Sequence, residues 1–114
     1  MDVLTTAGTD QSYLVVAVSG EVDLYTAPAL HEAIRDCVEE GFGPLVIDLT
    51  EVGFMDSTGL GVLVDGLNRC RERDRELLVV CDRASLLGLF RITGLDTVFD
   101  LRTTVEDALA GRAG

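Results

Sequence analysis

Leu45-Val46-Ile47-Asp48-Leu49, then Thr50-Glu51-Val52-Gly53-Phe54-Met55-Asp56-Ser57-Thr58-Gly59-Leu60-Gly61, decide the architecture of this chain. The first five residues form a strongly apolar run of strand length. Beyond the loop, Leu60, Leu63, Val64, Leu67 and Cys70 recur at helical spacing, which predicts a helix with one buried face. Thr50 to Gly59 read as the connection between the two. Strand, loop and helix in this order are half of a β–α–β unit.

The same alternation extends in both directions. Tyr13 to Ser19, followed by Gly20, predicts a buried strand. Gly8-Thr9-Asp10 predicts a turn, which makes residues 3 to 6 an antiparallel edge strand. Leu30, Ala33, Ile34, Cys37 and Val38 mark a helix that Thr26 can cap, Pro28 can enter and Gly41 ends. Downstream, Leu77 to Cys81 predict a strand, Ser85 to Thr93 a helix closed by Gly94, and Val98 to Leu101 a last strand. Thr104 and Asp107 open a terminal helix through Leu109 as a variant capping box. The expectation is an α/β fold: a mixed, mostly parallel sheet of four to five strands with about four helices. At 114 residues the chain is read as one domain, 1–114, with a core from about 3 to 109.

Composition narrows the function. An apolar fraction of 47% supports a packed core and excludes disorder. No apolar run approaches the roughly 18 residues of a membrane span, and the first residues lack the basic-then-apolar pattern of an export signal. The net charge of −11 disfavours nucleic acid and anionic lipid as partners. It is also lopsided: residues 1 to 57 hold 11 acids and only Arg35, which reads as a docking surface for a basic protein or as a solvated acidic face. Cys37, Cys70 and Cys81 show no Cys-x-x-Cys spacing and His31 is the lone histidine, so neither a disulfide framework nor a metal site is expected. A reducing cytoplasm is the matching compartment.

In an open α/β sheet the functional crevice lies beyond the carboxyl ends of the strands. Two predicted loops sit there, Gly20 to Tyr25 and Thr50 to Gly59. Enzyme readings of the second loop fail one by one. A nucleophile elbow needs glycine where Met55 stands and a histidine base that only His31 offers, from a predicted helix. A dinucleotide fingerprint lacks its third glycine, at Val64. A phosphate-cradling Walker loop and a response-regulator receiver domain with Asp48 as acceptor both need a lysine, and the chain has none. Asp48 with Asp56 as an acid–base pair has no supporting constellation.

Asp56-Ser57-Thr58 reads first as a helix N-cap. Gly59 and Gly61 in the first turn then need a separate reason, because each costs about 1 kcal/mol relative to alanine. Small residues there bare the helix terminus and admit a close neighbour. A phosphate on Ser57 would add a charge of about −1.5 to −2, facing free amides and the positive helix end. Phe54 and Met55 are expected to pack internally, and Asp23 reads equally as a turn former.

Asp56-Ser57-Thr58-Gly59-Leu60-Gly61-Val62-Leu63 resembles the signature of bacterial STAS-domain anti-sigma factor antagonists. Gly20-Glu21-Val22-Asp23 with Thr26-Ala27, and Leu89-Phe90 with Gly94-Leu95, resemble the family's two other landmarks in the right order. The resemblance runs from about Val3 to Leu109. It implies a non-enzymatic partner switch active in stress-response or sporulation programmes. Such proteins bind an anti-sigma factor that is also a serine kinase, and so release a sigma factor. The kinase supplies ATP and magnesium, and a PP2C-type phosphatase restores the binding form. Carried onto this chain, Ser57 is the phosphoacceptor, and Asp23, Asp56, Ser57, Thr58 and Gly59 form the partner-binding surface, with no cofactor. Thr58 stands where many members have a second serine, and Leu24-Tyr25 where some have polar residues. The alternative is a STAS interaction or ligand-sensing module in a stress-signalling assembly that binds without switching.

Overall fold

The computed structural model describes residues 1–8, 12–41 and 43–110. Along the chain run β1 (Asp2–Ala7), β2 (Leu14–Val22), α1 (Ala27–Glu40), β3 (Leu45–Met55) and α2 (Ser57–Glu72). There follow β4 (Leu77–Val80), α3 (Ala84–Ile92), a 3-10 turn (Leu95–Thr97), β5 (Asp100–Arg102) and α4 (Val105–Leu109). The strands lie in the order β1-β2-β3-β4-β5; β1 is antiparallel to β2 and every other pair is parallel. This is the expected α/β arrangement, with five strands and four α-helices among the described residues. Within the turn expected at Gly8-Thr9-Asp10, Thr9 and Asp10 lie outside the described residues.

Alternation along the strands builds two cores. Leu45, Ile47 and Leu49 of β3 point to the face covered by α1, α2 and α3. Val46 points the other way and joins Leu78, Val80 and Ala108 of α4. Helix α1 buries Leu30, Ile34, Cys37 and Val38, and α2 buries Leu60, Leu63, Leu67 and Cys70. Val64 is only half-buried, because the inner face of α2 turns toward Gly66. A side chain at Gly66 would stand 2.8 Å from Ile34 Cγ2, so this glycine sets how closely α1 and α2 approach.

Three expected boundaries move. Gly20 does not end β2: it sits at φ 89° inside the strand, beside a shift in the β2–β3 register, and the chain continues to Val22. A glycine at positive φ lets the strand bulge and resume pairing. Thr50 to Met55 are strand rather than loop, with Val52 extending the buried face beyond one register shift and Met55 beyond a second. The last strand starts at Asp100 rather than Val98, because Leu95–Thr97 form the 3-10 turn and Phe99 turns inward to meet Phe90 edge-on, ring centroids 5.7 Å apart. At the far end of α1, Arg75 donates to the carbonyls of Cys37, Val38 and Gly43 at 2.9, 3.0 and 2.8 Å. It thereby supplements the Gly41 amide at the Cys37 carbonyl and ties the last turn of the helix, where carbonyls run out of intrahelical partners, to the segment after it.

Candidate functional site

Strands β2 and β3 outrun β4 and stay paired to Val22 and Met55. Asp23 and Asp56 therefore leave adjacent strand ends, and the Asp56 amide donates to the Val22 carbonyl at 3.1 Å. Asp56 alone connects β3 to α2. Its backbone is extended, and Oδ1 accepts from the amides of Thr58 at 2.9 Å and Gly59 at 3.3 Å. The Leu60 amide bonds the Asp56 carbonyl at 3.2 Å. The predicted N-cap is present, but it changes one expectation: these first-turn amides are occupied, not free to receive a phosphate. Ser57 opens the helix, exposed, with its hydroxyl outside the cap; Thr58 is half-buried.

Asp23 is also committed to its own loop through one oxygen. Its Oδ1 accepts from the amides of Tyr25 and Thr26 at 2.9 and 3.1 Å. Thr26 Oγ1 accepts from the Asp23 amide at 2.9 Å. The Thr26 hydroxyl has one proton to share between the Glu21 carbonyl at 2.9 Å and Asp23 Oδ1 at 3.2 Å. Thr26 thus stands at the N-cap position of α1 without capping it by its side chain. The sequence predicts a cap there; the hydroxyl is instead turned back into the loop. Donation from the Thr26 amide, together with that from Tyr25, holds the Asp23 carboxyl below its ordinary pKa against a smaller opposing desolvation. Among the described residues, the second oxygen of Asp23 and that of Asp56 take no hydrogen bond.

The two glycines after Ser57 differ. A Cβ on Gly59 would lie 2.7 Å from Met55 Cγ and 2.8 Å from Val22 Cγ1, so the chain's own core fills that space. Gly59 is buried and lets α2 sit close on the strand ends. Gly61 is exposed and an added Cβ would meet nothing within 4 Å. It lines a groove of about 400 Å³ between α1 and α2, together with Leu24, Ala27, Thr58 and Val62.

His31 and Asp65 close the far side of that groove. His31 Nε2 lies 2.8 Å from Asp65 Oδ2, and Arg69 donates to the same oxygen at 2.7 Å. These bonds, Arg69 first and His31 second, lower the Asp65 pKa. Asp65 follows Ser57 by eight helical positions, about 12 Å of axial rise, so the imidazole is held away from the Ser57 hydroxyl. Asp48 sits inside β3 with Oδ1 accepting from the Thr50 amide at 3.0 Å, roughly 25 Å of strand from Asp56. All three cysteines are buried, and burial raises each thiol pKa. Among the described residues, no three metal-binding side chains cluster and no helix is long and apolar enough to cross a membrane.

Sequence reasoning missed the apolar rim. Met55 is buried as predicted, but Phe54 is half-exposed, and Leu24 and Tyr25 project from the Asp23 loop. The available signal was two large apolar residues directly after a turn-forming aspartate.

The STAS domain family profile matches residues 4–108. A curated relative, "Anti-sigma-B factor antagonist" of Listeria monocytogenes, is 43% identical over 90% of this chain and 89% of its own. Its Staphylococcus aureus namesake is 34% identical over 86% and 91%. A crystal structure titled as an anti-sigma factor antagonist from Mycobacterium paratuberculosis superposes with a TM-score of 0.81 at 36% identity, covering 95% of this chain and 92% of that one. With the strand order, the aspartate-capped Ser57 helix and these matches in agreement, the chain belongs to the STAS domain family.

Proposed function

We propose that this protein is an anti-sigma factor antagonist whose hold on an anti-sigma factor serine kinase is released by phosphorylation of Ser57. In the unmodified state it occupies the kinase and frees a sigma factor for transcription in the cytoplasm. A PP2C-type phosphatase returns the modified form to service. Asp23, Asp56, Ser57 and Thr58 form the docking surface, with Gly59 fixing their height above the strand ends. The two Listeria and Staphylococcus relatives and the mycobacterial structure support the antagonist reading by their names.

One observation carries the switch. The Ser57 hydroxyl is exposed on the first turn of a 16-residue helix whose cap is supplied by another residue. Modifying it breaks no bond of the fold. The phosphate meets amides already taken by Asp56, and so stands in solvent beside a carboxylate of the same sign. In a complex it becomes an unpaired dianion at an interface. Moving a complex from 99% bound to 1% bound requires about 5.5 kcal/mol. An unpaired ion withdrawn from water costs several kcal/mol even after relaxation. The two magnitudes match, so no large conformational change is needed.

The test is phosphorylation by the cognate anti-sigma factor with Mg-ATP, read by intact mass and site mapping. One phosphate on Ser57, an unlabelled Ser57→Ala variant that still binds, and loss of binding by the phosphorylated form are expected. Labelling confined to Thr58 would move the site. Equal binding of the modified and unmodified forms would leave a STAS module that binds without switching.

A further inference from the structure

We infer that Leu24 and Tyr25 are the apolar anchors that select the partner, and that they seat in an apolar pocket edged by arginine or lysine side chains. The inference rests on the antagonist reading and adds the chemistry of the surface that the kinase presents. Leu24 is 65% exposed and Tyr25 89% exposed. Neither is a frayed tip: Asp23 Oδ1 holds the Tyr25 and Thr26 amides, and the Ala27 amide bonds the Asp23 carbonyl at 2.8 Å. The loop is fixed, with its two largest side chains turned outward. Ordering entropy that a mobile loop would lose on binding is already spent in folding.

Position ties the pair to Ser57. Leu24 lines the same groove as Thr58, Gly61 and Val62 of α2. An exposed tyrosine surrounded by polar groups is the kind of side chain on which binding energy concentrates, and Leu24 adds apolar area beside it. The surrounding groups here are acidic. Asp23 and Asp56 each keep one oxygen outside their own loops, and Glu21 is exposed two residues before Asp23. A partner that buries Leu24 and Tyr25 must bring cations to the rim or leave carboxylates unpaired. The same charge argues against two other occupants. A second copy docking about a two-fold axis would set these carboxylates against themselves, and an anionic bilayer would repel them.

The experiment measures dissociation constants of the unmodified full chain for its anti-sigma factor, with Leu24→Ser, Tyr25→Ser and Leu4→Ser. Leu4 is the matched control: it is 64% exposed, on β1. Its neighbour Val3 packs on the main core, so Leu4 points to the opposite face of the sheet. Circular dichroism and melting temperature verify folding of each variant. Leu24→Ser and Tyr25→Ser are expected to weaken binding at least tenfold, with Leu4→Ser within twofold, and wild-type affinity is expected to fall as salt is raised. Anchor variants within twofold of wild type, while wild type binds, would overturn the inference and leave the antagonist reading standing. Affinity independent of salt would overturn the basic rim. A wild-type dimer that Tyr25→Ser dissolves would assign the patch to self-association. Failure of the wild type to bind any anti-sigma factor would refute the antagonist reading itself, and the inference with it.

Discussion

Replacing Gly61 and Gly59 by alanine, one at a time, separates what the fold needs from what a partner needs. Both lie in the first turns of α2, where glycine is about 1 kcal/mol worse than alanine. At Gly61 the added methyl enters open space, so Gly61→Ala recovers that amount in full. Unfolding entropy of about 2.1 cal/mol/K per residue gives about 0.24 kcal/mol/K for 114 residues, so the melting temperature should rise about 4 °C. At Gly59 the same gain is set against contacts of 2.7 Å to Met55 Cγ and 2.8 Å to Val22 Cγ1. Val22 is fully buried and Met55 nearly so, and overpacking such a site costs about 1–3 kcal/mol. Gly59→Ala should melt at or below wild type, about 4–12 °C below Gly61→Ala. Differential scanning calorimetry reads both values. The informative second measurement is binding: the more stable Gly61→Ala protein should hold its anti-sigma factor more weakly, because the methyl stands in the groove beside Ser57. Equal melting temperatures for the two variants would refute the packing argument. Undiminished affinity of Gly61→Ala would show that the partner does not use the space above it.

Further expectations follow from single contacts. Asp56→Ala removes the cap of α2 and should lower stability by about 1 kcal/mol, or about 4 °C, whereas Asp56→Asn should keep the cap and lose only the charge, slowing association at low salt. The Asp23 carboxyl is depressed below 3.8, so its contribution to the loop is present above that value and disappears as pH falls through its lower folded value. The Tyr25 and Thr26 amide shifts should titrate with a midpoint below 3.8, and a midpoint at or above it would mean that those bonds do not form. Arg75→Met removes the arginine donor from the carbonyls of Val38 and Gly43 and one of the two donors from that of Cys37, which keeps the Gly41 amide, and should cost about 2–3 kcal/mol, near 10 °C in melting temperature. Ser57→Asp should abolish kinase binding while shifting the melting temperature by no more than about 4 °C; a collapsed fold would make the residue structural.

Periodicity carried most of the architecture and failed where the register shifts. Val16, Val18, Ile47 and Leu49 alternate cleanly, and α1 and α2 bury the apolar stripes that their spacing predicts except for the half-buried Ala33 and Val64. Beyond Ala17 and Asp48 the two strands fall out of step, so Val52 is buried three residues after Leu49 and Met55 three after Val52, a spacing that strict alternation does not give. A reader counting by twos therefore stops at Leu49 and sees a loop. The Asp56 cap was legible because N-caps are local and chemically specific. The role of Thr26 was not, since the side chain could bond forward into α1 or backward to Glu21 and Asp23, and only the turn geometry decides. For the same reason Asp23 is visible as a turn former or as a docking charge, when its two oxygens allow it to be both.

That division of labour between oxygens is what the proposed switch requires, a surface that one phosphate would rebuild while the fold stays put. Asp23 and Asp56 each anchor local amides with Oδ1, so the loops that present Ser57 are set before any partner arrives. The arginines with assigned contacts are engaged elsewhere: Arg69 with Asp65, Arg75 at the end of α1, Arg83 at the Thr50 carbonyl, and Arg102 with Asp100. None of them is bonded to Asp23 or Asp56, and a phosphate on Ser57 would find the Thr58 and Gly59 amides already taken by Asp56. On the proposed switch its charge would leave the Asp56 cap in place and these four arginines where they are, rather than ordering a loop as phosphorylation does in many proteins. It would add to the carboxylates of Asp23 and Asp56. A partner whose cations are already matched to the two carboxylates would have none left for a dianion where the neutral hydroxyl was, and the phosphate would stay unpaired. Moving an arginine into this gap tests the point directly. A variant with arginine at the open position, Gly61→Arg, should give the phosphate an internal partner. It should narrow the ratio of affinities between unmodified and phosphorylated forms, measured at one salt concentration, even though it weakens both. An unchanged ratio would mean that the switch works through a rearrangement of the fold and not through an unpaired charge.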